Sequence, residues 1–308
     1  MRLIFLGSDR FSVICLRALI SHVNDLKSLT VVTNNYTPVF RCAVENNIVP
    51  MEWPYRLPPK RFDLGIVVSF GYMIPSACIE QCTHGMVNVH PSLLPRWRGA
   101  APLVHTLLNR DSRTGVSLIT VAKERFDTGS IIDKQELSGN PQNMEYAELH
   151  ETTANLGAKM LLRFLDDVEG NLRAATPQGE EGATRAPKVT PSMAVIDWRR
   201  TVLEVDALRR AITPFEPLRT YFRGDLIKVF LVPLRESPPD IDPKYIREPL
   251  RPGCVVYCRK TRLIAVRCAD GWIWVQAVVF QGRRRITANG FAAGYLSKSP
   301  CKFFSNEV

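Results

Sequence analysis

The stretch richest in reactive side chains is Asn88-Val89-His90-Pro91-Ser92-Leu93-Leu94-Pro95-Arg96-Trp97-Arg98-Gly99-Ala100-Ala101-Pro102. Asn88 and His90 lie two residues apart at the end of an apolar run that reads as a strand over Met86–Val89, so their side chains share a face. An amide that donates hydrogen bonds and an imidazole that moves protons could then serve one reacting atom. Alone, such a pair at a strand end is as often structural as functional. What raises it is the continuation: a rigid, proline-bounded loop bearing Arg96, Trp97 and Arg98, then a start of small residues for a helix. A second polar turn, Arg125-Phe126-Asp127-Thr128-Gly129, follows the apolar run Val116–Val121 and offers a carboxylate. By itself Asp-Thr-Gly is more often a turn or a helix N-cap. An aspartic-protease reading needs a second such Asp and a β fold, and the sequence has neither.

The elements that must position these residues alternate. Met1–Leu6, Leu29–Val32, a short stretch near Val49, Leu64–Val68, Met86–Val89 and Val116–Val121 read as strands. Phe11, Cys15, Leu16, Ala18 and Leu19 fall at helical spacing, and helices are expected over Val39–Asn46, Pro75–Gln81, Ala101–Leu108 and Glu145–Gly170. Strands alternating with helices predict a mostly parallel, Rossmann-like α/β sheet covered on both faces. Residues 170–192 hold Gly, Ala, Thr, Pro, Gln and Ser with few large apolar residues and read as a linker. A helix at about 201–212 follows. Then come short strands, Thr220–Phe222, Ile227–Leu231, Gly253–Cys258, Leu263–Cys268 and Trp272–Phe280, with Asp270-Gly271 as a hairpin turn. These fit a small β-barrel. The expected domains are 1–179 (α/β), 180–198 (linker) and 199–308 (barrel).

Bulk properties narrow the class. The chain has 308 residues, 45% hydrophobic and 23% charged, enough for two cores. No apolar run approaches the ~20 residues that span a bilayer, so no membrane partner is expected. The first residues look like a strand and not a targeting leader, so the protein works where it is made or a leader is missing from this copy. The eight cysteines include the pairs Cys78/Cys82 and Cys254/Cys258, but lack the spacing of a zinc site; free thiols and no metal are expected. Residues 199–308 hold half of the 40 Lys and Arg but a third of the 30 Asp and Glu, and so carry the whole net charge of +10. Charge gathered in one third of a chain reads as a footprint for a polyanion, usually nucleic acid.

At this point the chain resembles a known family. The segment SLLPRWRGAAP at 92–102 is the signature of the methionyl-tRNA formyltransferases, and the Asn-x-His and the later Asp are shared with the wider superfamily of folate-dependent formyl- and hydroxymethyl-transferases. The likeness extends to IFLGSDRFS at 4–12, VVSFGYMIP at 67–75, RFDTGSII at 125–132, APKVTPSMAVIDW at 186–198 and ITPFEPLRTYF at 212–222. VVTN at 31–34, MEWP at 51–54, RFDTG at 125–129, DGWIWVQAV at 270–278 and GYL at 294–296 resemble the animal mitochondrial branch, which implies the mitochondrial matrix.

The resemblance implies a formyltransferase domain followed by an OB-like β-barrel, and formyl transfer from 10-formyltetrahydrofolate to the α-amine of methionyl-tRNA. It implies Asn88, His90 and Asp127 as catalytic residues: Asn88 and protonated His90 donate to the oxyanion, while Asp127 holds His90 charged and helps move the amine proton to folate N10. It places the pterin among Phe70, Gly71, Tyr72, Met73 and Ile74, with Arg125 and Phe126 opposite and Ser92, Leu93, Leu94 and Pro95 also on the folate. Phe70 and Met73 are as readily plain core. Arg96 and Arg98 are expected on the tRNA or shaping the folate loop, with a structural ion pair as the competing view. Arg209, Arg210, Arg259, Lys260, Arg283, Arg284 and Arg285 are expected on the tRNA backbone, within a basic set that also includes Arg199, Arg200, Arg219, Arg223, Lys228, Arg262 and Arg267. A monomer is expected.

One departure stands out. Bacterial members carry a long basic loop after the second strand, whereas here that region is Thr33-Asn34-Asn35-Tyr36-Thr37-Pro38, with no cation before Arg41. Three rivals remain. A formyltransferase acting on a small amine predicts no basic domain. An inactive RNA-binding protein predicts loss of one of Asn88, His90 or Asp127. A formyl-folate hydrolase needs a better water site.

Overall fold

Strand β1 (Leu3–Gly7) is buried along its whole length, and its side chains alternate between two cores. Leu3 and Phe5 enter one cluster with Leu64, Ile66, Val68, Val87 and Val89; Ile4 and Leu6 enter the other with Val67, Phe70, Ile74 and Met86. This is the computed structural model of the chain, and it describes residues 1–23, 28–55, 61–123, 125–234, 251–297 and 303–305. They form two units: Met1–Thr106 with Asp111–Lys188, and Leu107–Arg110 with Val189–Val308.

In the first unit β1 is followed by α1 (Arg10–His22), β2 (Leu29–Thr33), α2 (Pro38–Glu45), β3 (Met51–Glu52), β4 (Leu64–Val68), α3 (Ser76–Ile79), β5 (Met86–His90), α4 (Pro102–Leu108), β6 (Gly115–Thr120), β7 (Ile131–Glu136), α5 (Tyr146–Asp166) and α6 (Val168–Arg173). The seven strands form one sheet in the order β3-β2-β1-β4-β5-β6-β7. The first five run parallel; β6 is antiparallel to β5, and β7 to β6. Helices α1 and α5 pack together on the face of Leu3 and Phe5, with Leu16, Leu19, Met160, Leu161 and Phe164 in that core. Asp9 caps α1 by accepting from Ser12 N at 3.0 Å, and the Ser12 hydroxyl donates to Val68 O at 2.6 Å, so the helix start is tied to β4.

Several expectations shift. The third strand lies at Met51–Glu52, and Val49 is exposed. The long helix over 145–170 is two: Asp167, with φ −148°, leaves the helical region and caps α6 by accepting from Gly170 N at 2.9 Å. Strand β7 was not anticipated, because its sequence, IIDKQE, is polar toward an exposed edge. Residues 174–186 are not loose either: Thr176 bridges Ile131, and Arg185 bridges Arg98. Their lack of large side chains hid a segment held by backbone hydrogen bonds. Burial pushes the thiols of Cys15 and Cys268 up to about 12 and that of Cys82 to about 11, which leaves these three inert. No helix of the described residues is long and apolar enough to cross a membrane.

The second unit contains α7 (Val202–Ile212), β8 (Arg219–Phe222), β9 (Asp225–Leu231), β10 (Val255–Cys258), β11 (Leu263–Arg267), β12 (Trp272–Phe280), β13 (Ile286–Thr287) and α8 (Ala288–Phe291). Thr201 and Glu204 form a capping box at the start of α7. The strands form an antiparallel sheet, β10-β11-β12-β9-β8, with β13 paired to β12. Its two outer strands are joined through one segment: Ser305 bridges Tyr221 of β8, and Phe303 bridges Cys254 beside β10. At this join Gly253 has φ +86°, and a Cβ there would meet Phe304 O at 2.1 Å, so no larger residue fits. Phe222, Phe280, Phe291 and Phe304 fill the interior with edge and tilted contacts, Phe222 and Phe291 having ring centroids 5.0 Å apart.

Candidate active site

Asn88 and His90 leave β5 on the face opposite α1 and α5, since Val87 and Val89 point into the core that those helices cover. His90 is 4% exposed. Its Nε2 lies 2.9 Å from the carbonyl of Trp97, which only accepts, so this nitrogen carries a proton. Its Nδ1 lies 3.5 Å from Asp127 Oδ1. Asn88 Nδ2 donates to the same Oδ1 at 3.0 Å. The other carboxylate oxygen, Oδ2, accepts from the backbone N–H of Gly99 at 2.9 Å. The end of β5 and the loop that follows it therefore meet at one carboxylate, brought from 28 to 39 residues further along the chain.

Asp127 reaches this point by an indirect path. β6 ends beside the start of β5, with Val87 opposite Thr120, and the chain then turns back along the sheet face. Asp127 sits at φ +57°, a left-handed conformation that a non-glycine residue adopts at a cost of about 1 kcal/mol. The turn is supported from behind by Gln178, whose Nε2 donates to the carbonyls of Asp127 (2.9 Å) and Gly129 (2.7 Å).

The loop after β5 is fixed on all sides. The Ser117 hydroxyl donates to Ser92 O at 2.7 Å and accepts from Leu94 N at 3.0 Å; the Ser92 hydroxyl donates to Arg96 O at 2.7 Å. Asp111 accepts from Arg96 Nε (2.8 Å) and Trp97 Nε1 (2.7 Å), and the Arg96 guanidinium lies over the Trp97 ring at 4.3 Å. Residues 184–186 run alongside: Arg98 N donates to Thr184 O at 2.9 Å, Ala186 N to Arg98 O at 2.8 Å, and Ala101 N to Ala186 O at 3.1 Å. Gly99 has φ +128°, and a Cβ there would lie 2.6 Å from Ala186 O. Only glycine lets the two segments approach while its N–H faces Asp127.

Ser69–Ile74 follows β4 on the neighbouring strand. Phe70 and Ile74 are buried in the core, whereas Tyr72 and Met73 are 44% and 45% exposed and Gly71 is exposed. Trp53, Phe70 and Tyr72 form an aromatic cluster, and Asn34 Nδ2 lies 2.7 Å from the Tyr72 hydroxyl. Arg125 and Phe126 are exposed on the Asp127 turn. Leu94 is fully buried and Leu93 and Pro95 partly so, which makes this part of the loop a support as much as a surface. Among the described residues no group of three or more His, Cys, Asp and Glu could hold a metal ion.

In the second unit the basic residues divide. Arg209 and Arg210 are not on a surface: they are 9% and 7% exposed, and both pair with the buried Asp206, at 2.8 and 2.9 Å. The expectation that they meet tRNA is corrected by this burial. Arg96 and Arg98 are likewise engaged within the first unit, with Asp111 and with Glu180 and Gln178. Arg199, Arg200 and Arg219 pair with Asp197, Glu204 and Glu216. A different set converges. The register of β8, β9, β10, β11 and β12 puts the turns at 223–224, 259–262 and 281–285 at one end of the sheet. On these turns Arg223, Arg259, Lys260, Arg262, Arg283, Arg284 and Arg285 are all exposed. Arg223 and Arg283 donate to the backbone carbonyl and the hydroxyl of Tyr295 (2.7 and 3.0 Å), and Arg285 lies 4.1 Å over Phe230, so these side chains are braced and not free-swinging.

A strand-borne Asn and His face a carboxylate on a mostly parallel α/β sheet, and an antiparallel unit follows in the chain; these are the two parts of a group-transfer enzyme. The chain belongs to the formyl transferase family: residues 1–165 match the formyl transferase model and residues 188–296 match that of the formyl transferase C-terminal domain. It is 36% identical to the mitochondrial methionyl-tRNA formyltransferase of Rattus norvegicus, over 96% of this chain and 78% of that protein. It is 30% identical to the methionyl-tRNA formyltransferase of Parvibaculum lavamentivorans, over 97% of this chain and 98% of that protein. The fold is also that of an N-formyltransferase from Helicobacter canadensis solved with folinic acid and dTDP-3-aminofucose (TM-score 0.65, 15% identity, 89% of this chain and 98% of that chain). HypX from Aquifex aeolicus, solved with tetrahydrofolic acid, is similar at a TM-score of 0.62 and 17% identity over 97% of this chain and 48% of that one.

Proposed function

We propose that this protein transfers the formyl group of 10-formyltetrahydrofolate to the α-amine of methionyl-tRNA, giving formylmethionyl-tRNA for translation initiation. The observation that carries the mechanism is the convergence of Asn88 Nδ2 and His90 Nδ1 on one anionic oxygen, Asp127 Oδ1. When the amine nitrogen adds to the formyl carbon, the carbonyl oxygen becomes an anion that needs the same two donors. Asn88 has a second amide N–H to give, and the other donor is the Nδ1 side of His90, which faces Asp127 Oδ1 at 3.5 Å, because Nε2 is held by Trp97 O. Each such donor is worth about 3 kcal/mol in the transition state. Asp127 faces the imidazole and, through water, takes the proton that the amine sheds. As the bond from carbon to N10 breaks, that proton passes to N10, so one C–N bond forms, one breaks and one proton crosses.

The exposed Tyr72, Met73 and Phe126, with the backbone of Phe70–Ile74, fit a flat folate ring system. The curled antiparallel unit is read as an OB-like barrel, and its seven-cation end as the surface that takes the tRNA backbone through phosphate contacts. The mitochondrial relatives support action in the mitochondrial matrix. The deciding assay supplies 10-formyltetrahydrofolate with methionyl-tRNA, glycinamide ribonucleotide or an amino-sugar nucleotide, and follows formylated product against free formate. Rapid formylation of methionyl-tRNA alone is expected. Formate release without transfer, or transfer only to a small amine, refutes the assignment.

A further inference from the structure

Gln178 lies in the stretch that composition marks as a linker, yet every hydrogen-bonding position of its amide is used. Its Oε1 accepts from Arg98 Nε at 3.1 Å and from a terminal guanidinium nitrogen of Arg98 at 3.0 Å. Its Nε2 donates to Asp127 O and Gly129 O, at 2.9 and 2.7 Å. A primary amide has two N–H groups and two lone pairs, so four partners saturate it. The partners also fix its orientation. A flipped amide would set its oxygen against two carbonyls and its N–H groups against a guanidinium, losing all four bonds. Arg98 is itself anchored by Glu180 at 3.0 Å and by Gly179 O at 3.2 Å.

We infer that Gln178 is the positioning residue for Asp127, held in its working orientation by Arg98; this rests on Asp127 serving formyl transfer as proposed above. The reason lies in the backbone. Asp127 adopts a left-handed conformation that a residue with a side chain leaves readily unless it is held. The side-chain bonds of Asp127, to Asn88 and Gly99, pull on its carboxylate and leave its peptide free to rotate. The two carbonyls that Gln178 grips flank the turn and define its plane. Without them the carboxylate stays near His90 but loses the angle at which one oxygen faces both Asn88 and His90. A shift of about 1 Å in a catalytic group can cost on the order of 100-fold in rate. Arg98 therefore acts from within the α/β unit, by setting which end of the amide faces Asp127.

The test uses Gln178→Glu and Gln178→Met in the full chain. Both keep the length of the side chain and remove the two donors; the first keeps a partner for Arg98 and the second adds no charge. Each should lower kcat 10- to 100-fold while KM for formyl-folate and for methionyl-tRNA each changes less than threefold. In an Asp127→Ala background, measured by single turnover, the same changes should have no further effect on kcat, because the residue acts through Asp127. Wild-type kcat in either variant, a loss confined to KM, or a full additional loss in the Asp127→Ala background overturns the inference. If the unaltered protein formylates methionyl-tRNA and these results fail, this inference alone is lost; if the unaltered protein transfers no formyl group, the function proposed above is lost with it.

Discussion

Asn88 and His90 address a single oxygen of Asp127, at 3.0 and 3.5 Å, from the same face of the same strand. The side-chain period of a strand is two, so one intervening residue, Val89, puts both groups on the working face while itself filling the core behind it.

Removing either end of this pairing should stop turnover. His90→Ala and Asp127→Ala are each expected to lower kcat by at least ~10³-fold and to leave tRNA affinity within a factor of about two, since the cations read as the tRNA surface are other residues. Rapid-quench formylation and filter binding measure the two quantities. Retention of more than a tenth of the wild-type turnover in either variant contradicts the assigned roles.

The basic end of the second unit should govern salt dependence. Reversing Arg283, Arg284 and Arg285 to Glu is expected to weaken tRNA binding at least tenfold and to flatten the slope of log affinity against log salt. Turnover at saturating tRNA should hold. An unchanged slope would mean that phosphates are met elsewhere.

Asp206 should matter for stability and not for tRNA. It is the shared partner of two buried arginines, so Asp206→Asn removes a buried carboxylate that both guanidiniums donate to, at a cost of about 3–5 kcal/mol. Denaturant unfolding reads this directly. A loss below about 1 kcal/mol, or a change in the salt dependence of tRNA binding, would contradict the burial argument.

Selectivity should rest on the amino acid more than on the acceptor stem. The loop after β2 is held close to the sheet: the Thr37 hydroxyl caps α2 and lies 2.8 Å from that of Thr33, and Asn35 donates to Glu52 at 2.9 Å. It presents the exposed Tyr36 but no cation. With no charge to offset the unpairing of a stem among phosphates, the enzyme should formylate methionyl-tRNA with paired and unpaired first base pairs at rates within tenfold. The same tRNA charged with glutamine should react far more slowly, loss of an apolar side-chain contact costing about 1–3 kcal/mol. A hundredfold drop on pairing the stem, with little response to the amino acid, is the opposing result.

Much of the frame was legible before any coordinates. The strands Leu64–Val68 and Trp272–Phe280 lie where their apolar runs end. The shared face of Asn88 and His90 followed from their spacing. What escaped did so for physical reasons. The edge strand β7 carries Asp133, Lys134, Gln135 and Glu136, because an edge facing water has no need of an apolar pattern. Gln178 and Thr184 act through hydrogen bonds to loops distant in sequence, and such bonds leave no periodic trace. The burial of Arg209 and Arg210 did leave a signal: Asp206 stands three and four residues before them, the spacing of ion pairs on a helix. Charge counted by segment obscured it.

The join at Phe303 and Ser305 sets a timetable for the second unit. A chain that emerges amino end first completes Tyr221 of β8 more than 80 residues before the segment that must bridge it. At synthesis rates of roughly 5–20 residues per second this is a wait of several seconds. During it β8 and β10 offer unpaired edges, and the aromatic interior around Phe222 lacks Phe304. A nascent chain halted before residue 303 should therefore be open to proteases and chaperones across this unit, whereas the mostly parallel sheet of the first unit, whose last strand ends at Glu136, already has all its strands out.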